Sequence, residues 1–148
     1  MSTIEEDQDA ILDRLRTVVP SVFESAVPDG YKLPLIENQT YFKPYAIVTF
    51  GGQSPVANRN QSIGTSADDL KWTAVAVEVV AHTARTARYY VADVRKLLEG
   101  YAPSENWGEL SEILSSGYGV NVPDHDLWPV RYIQGIVFNT NVNAVRPH

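Results

Sequence analysis

Three histidines are the first residues to test for chemistry: His82, His125 and His148. His125 lies between Asp124 and Asp126. That trio offers nitrogen and oxygen donors, but a metal site needs three or four ligands converging on one point. Adjacent residues on a loop point apart, so a solvated turn outweighs a metal site there. His82 falls where a strand gives way to a helix, and it reads as a helix-start or packing residue. No serine occupies a G-x-S-x-G elbow. Gly51-Gly52-Gln53-Ser54-Pro55 has neither the lysine of a phosphate loop nor a helix directly behind it. Gly117-Tyr118-Gly119 is too short for a dinucleotide fingerprint and follows a helical pattern rather than a strand. The chain has no cysteine, which removes thiolate metal ligands, cysteine nucleophiles and disulfides. Glu78 is the one acid that stands out on a buried segment. It lies on the less apolar side of its strand, facing solvent or a partner rather than a catalytic pocket. The expectation is a protein that is not an enzyme and carries no cofactor or metal.

What the chain does concentrate is positive charge on one helix. From Thr83 onward, Ala84, Ala87, Val91, Val94 and Leu98 recur at three- and four-residue spacings and mark an apolar face. The same segment holds four of the twelve basic residues: Arg85, Arg88, Arg95 and Lys96. At the helical angle per residue these fall within an arc of about 100° beside that face. Tyr89 lies away from the apolar arc, whereas Tyr90 leans toward it. The bland alternative is a solvated face in which Glu99 pairs with Arg95 at i, i+4. The protein-interface candidates are Arg85, Arg88, Arg95, Lys96 and Tyr89, with Arg59 on a polar loop and Glu78 on the strand.

The elements that would position these residues can be read from hydrophobic period. Ile4, Ile11, Leu15 and Val18 repeat helically, with Ser2 and Thr3 at capping-box distance from Glu5 and Glu6. A helix over 4–19 follows, ended by Pro20, with Glu5, Glu6, Asp9 and Asp13 as a solvated acidic side. Four prolines between 20 and 44 predict an extended, irregular connector rather than a sheet centre. Residues 45–50 read as a strand, closed by Gly51-Gly52. Residues 53–69 read as a long polar loop with a mobile tip. Val75, Val77 and Val79 alternate with Ala74, Ala76 and Glu78, the period of a strand over 71–81. The main helix follows over 83–99, with Gly100 suited to the left-handed position beyond its end and Pro103 preventing resumption. A short helix is expected from Ser104 to about Ser115, with Trp107, Leu110, Ile113 and Leu114 on one side. Trp107 and Trp128 read as core-edge packing or as interface anchors. A short strand within 120–129 and a closing strand over 130–142 complete the chain, with Gly135 marking a bulge or a close approach. The fold class is α+β: a mostly antiparallel sheet with two main helices on one face. One domain over 1–148 is expected, with 1–3 and 143–148 as flexible tails.

Bulk properties narrow the partners. The 148 residues carry a net charge of −6. Nucleic-acid binding needs a dense basic footprint, so this balance argues against it. No apolar run approaches the roughly 20 residues of a membrane span. The acidic start MSTIEEDQD is unlike a secretory signal.

The order of segments resembles the tail terminator proteins of long-tailed bacteriophages, also called tail completion or head–tail joining proteins. The resemblance runs over about residues 10–142. It rests on Lys43-Pro44-Tyr45 through Gly51-Gly52 as a first strand with a glycine exit, then a long polar loop. It rests further on Trp72 through Val80 ahead of a Thr/Ala-rich helix, and on Pro129-Val130-Arg131-Tyr132 leading into the closing strand. The run Val94 to Pro103 is its most specific part. The resemblance implies a virion protein, assembled in the host cytoplasm, with no catalytic residues. It would form a ring, usually a hexamer, on the last ring of the tail tube, stopping tube growth and offering a surface to the head connector. The implied partners are further copies of itself, the major tail tube protein and a head completion protein. Another head–tail connector, a minor tail protein or a small-ligand-binding α+β domain are the competing expectations.

Overall fold

The computed structural model describes residues 4–27, 35–36, 41–51, 54–55, 70–105, 107–113, 122–124 and 131–143. Two helices, α1 (Ile4–Leu15) and α2 (Ala84–Leu98), lie on one face of a mixed, mostly antiparallel sheet. The main strands run in the order β1 (Ser21–Glu24), β4 (Tyr45–Phe50), β6 (Leu70–Ala81), β9 (Arg131–Asn143) and β7 (Ser111–Glu112). Two shorter strands extend this sheet: β5 (Ser54–Pro55) pairs with β6, and β8 (Val122–Asp124) with β9. A separate hairpin joins β2 (Leu35–Ile36) to β3 (Tyr41–Phe42). This is the α+β arrangement that the alternation of hydrophobic periods predicts.

The sheet's centre is the antiparallel β6–β9 pair, whose register is unbroken from Leu70↔Asn143 to Ala81↔Tyr132. Gly135 therefore marks no bulge. It is buried opposite Glu78 in the middle of the sheet. Asn143, expected in a flexible tail, is the last paired residue of β9. Cross-strand partners share a face, so the register sorts the core. Ala46, Val48, Val75, Val77, Val79, Ile136 and Phe138 are buried on the face that meets the helices. They pack against Ile11, Leu12 and Leu15 of α1 and Val91, Val94 and Leu98 of α2. On the opposite face, the apolar side chains buried among the described residues gather at one end. There Phe42, Tyr45 and Val80 form a second apolar cluster.

The proline-rich connector supplies more sheet than expected. Val22 is buried beside β4, and β1 runs parallel to it as the edge strand. Pro20 stands just ahead of β1, where a missing N–H costs no ladder bond. α1 also ends earlier than predicted. Beyond Leu15 the bonds tighten: the amides of Thr17 and Val18 donate to the carbonyls of Arg14 and Leu15. Thr17 Oγ1 donates to the Arg14 carbonyl as well. The β-branched run Thr17-Val18-Val19 is a poor helix continuation, so the stop precedes Pro20.

The main helix matches its predicted signals closely. Thr83 is the N-cap, its Oγ1 accepting from the Thr86 amide at 3.1 Å. Gly100 has φ of 80°, the left-handed conformation that suits glycine at a helix exit.

The short helix expected from Ser104 does not form among the described residues of that stretch. Trp107 and Leu110 are buried, as that helix would have buried them, but the backbone is extended and irregular. The amides of Gly108 and Ile113 instead donate to Asn141 and Val137 of β9, and Ser111–Glu112 becomes β7. A helix of about ten residues is marginal alone, whereas an open edge on β9 offers ready backbone partners. Gly108 is needed for the approach: a Cβ there would lie 2.9 Å from Thr140 Oγ1.

Candidate interaction surface

The outward side of α2 carries Arg85, Arg88, Tyr89 and Lys96, all exposed. Tyr89 is 71% exposed and is the exposed large hydrophobic among the described residues. Its neighbour Tyr90 turns inward and packs on the core. The split follows from the helical angle, which separates adjacent side chains by about 100°. Tyr89 stands between two open depressions of roughly 460 and 410 Å³. Val18, Thr86 and Tyr90 line the first; Arg88, Ala92 and Lys96 line the second; Arg85, Tyr89 and Asp93 border both.

Arg95 belongs to a different structure. Its guanidinium donates to both carboxylate oxygens of Glu112 on β7, at 2.7 and 3.2 Å. That hydrogen bonding raises the Arg95 pKa further above its ordinary value, against a smaller opposing effect of burial. Glu99, expected as the i, i+4 partner of Arg95, instead accepts the Glu112 amide at 2.8 Å. Arg95 is thus spent on fastening β7 to the helix layer.

Glu78, the remaining candidate among the described residues, does not join this surface. It lies half-buried on the far side of the sheet, between Ile47 and Gly135. Arg59 lies outside the described residues, as do His125, Trp128, His148, Ser2, Thr3 and the stretch 56–69 with its expected mobile tip. His82 packs edge-on against Phe42, with ring centres 6.2 Å apart, which fits its reading as a packing residue. Among the described residues, no three histidine, aspartate or glutamate side chains come together to hold a metal. No described helix is long and apolar enough to cross a membrane.

Asp93, Ala92 and Val18 were not anticipated at this surface. A helical wheel places Ala92 and Asp93 beside Tyr89, so that signal was available. Val18 arrives from the turn after α1 and could not be foreseen from α2 alone. No protein-family model and no curated protein matches this chain.

Proposed function

We propose that the protein is a structural subunit that assembles with copies of itself into a ring, hexameric by resemblance, on the end of a phage tail tube. There it stops tube polymerisation and offers the joining surface for the head. One observation carries the assembly part of this reading: an acidic chain presents an exposed tyrosine, Tyr89, framed by Arg85, Arg88 and Lys96. Tyrosine and arginine are enriched at protein interfaces and among the few residues that carry most of the binding energy there. The tail-end part rests on the segment resemblance over about 10–142.

The test uses a tail tube protein, which this reading expects to be encoded beside this chain's gene. Growing tubes are mixed with the purified protein, and their lengths and ends are measured by electron microscopy. The expected result is a ring at one end and no further growth when more tube protein is added. Tubes that elongate as before, or the absence of any neighbouring tube gene, would overturn the reading. A head-side connector, the main competing reading, would bind the head portal and leave tube length unchanged.

A further inference from the structure

The helix layer is electrically polarised, and its two ends are complementary. α1 and α2 run antiparallel. Asp7 meets Ser104 beyond the end of α2, and Arg14 bonds the Leu97 carbonyl and stacks over Tyr101. Val18 then lines one depression together with Thr86 and Tyr90, near the start of α2. Residues rising along α1 therefore pass residues falling along α2. Glu5, Glu6 and Asp9 are exposed at one end of the layer. Arg85 and Arg88 are exposed at the other, beside Tyr89. At 1.5 Å per residue, Glu5, Glu6 and Asp9 lie about 15–20 Å along the layer from Val18 and the Arg85 end. That is about one and a half to two screening lengths at 0.1 M salt, so their attraction within one chain is strongly screened. Of the other charges on this layer, Asp13 pairs with Arg16 and Arg95 with Glu112, while Asp93 borders the depressions beside Tyr89 and Lys96 lies further along α2.

We propose that the occupant of the Tyr89 surface is a second copy of this chain, presenting the acidic end of its α1. Arg85 and Arg88 of one copy face Glu5 and Asp9 of the next, and Tyr89 seats between them. The inference rests on the self-assembly reading above and names the two patches that meet. It also reassigns the acidic side of α1 from a solvated face to half of an interface. Such a contact joins unlike patches, so each copy keeps one free end of each sign and assembly can continue until it closes. Charge complementarity of this kind sets orientation and encounter rate, and it weakens as salt rises.

The experiment is a charge swap read by light scattering and sedimentation at low salt. Wild type should self-associate, and less so in high salt. Arg85→Glu/Arg88→Glu gives a chain acidic at both ends, and Glu5→Lys/Asp9→Lys one basic at both ends. Each should lose self-association by about tenfold or more, with melting temperature close to wild type. Mixed in equal amounts, the two variants should associate again, as should the chain bearing all four changes. Wild-type assembly with no loss in either variant, or no recovery on mixing, overturns this pairing and leaves the ring reading standing. Wild type that stays monomeric at low salt also overturns it, and the tube-growth assay then decides the ring reading separately. If a reversal lowers the melting temperature, Arg85→Gln/Arg88→Gln and Glu5→Gln/Asp9→Gln replace it. Each neutral pair should flatten the salt dependence, and an unchanged salt response overturns the pairing.

Discussion

Val137 and Phe138 are neighbours on β9, yet they face different surroundings. Phe138 is fully buried beneath the helices, in a layer that includes Val75, Val77 and Ile136. Val137 looks the other way, half-buried, beside Ala76. Among the described residues, that second face buries apolar side chains where Phe42, Tyr45 and Val80 close it. Elsewhere it carries Thr49, Ala74, Ala76 and Glu78, a mixture of small and polar groups. One face was selected to exclude water, and the other to stay compatible with it. Alternation alone says which residues share a face. It takes the composition of each face to say which one is covered.

The comparison predicts unequal costs for adjacent truncations. Phe138→Ala should destabilise by about 3–5 kcal/mol in denaturant unfolding, through lost burial and the cavity left behind. A cost below about 1 kcal/mol would mean that the helix-covered face is not the main core. Gly108→Ala should come next, at about 1–3 kcal/mol, because its Cβ has to push Thr140 on the covered face of β9 out of place. A neutral result would show that the 107–113 stretch can lift off β9 freely. The smallest effect belongs to Val137→Ala, at under about 1 kcal/mol. If it matches Phe138→Ala, the second face is covered as thoroughly as the first.

Much of this was readable from residue types. The strand over 45–50, the valine alternation of β6 and the cap and exit of α2 each rest on short-range rules. The structure satisfies them with Thr83, Gly100 and the three buried valines. The stretch after Ser104 shows where those rules stop. Trp107 and Leu110 have helical spacing and are buried, but the open edge of β9, more than twenty residues later in sequence, took their backbone. β1 was hidden for the same reason, since only β4 as a neighbour makes four residues after Pro20 into a strand. At the candidate surface, the clustering of Arg85, Arg88 and Lys96 was legible from helical angle. The removal of Arg95 was not, because Glu112 reaches it only once β7 is in place.

The β6–β9 pairing also has a consequence for the order of events in folding. Its partners are 51 residues apart at Ala81↔Tyr132 and 73 apart at Leu70↔Asn143. Closing a loop costs entropy that grows with the logarithm of its length, and contacts this distant slow the search for the native state. α2 lies inside that loop and forms from local signals. Once helical, it shortens the span to be closed and offers Val91, Val94 and Leu98 as a surface for β9 to land on. The same helix that shows its charged side to the outside therefore acts on its inner side as the template on which the middle of the sheet is zipped.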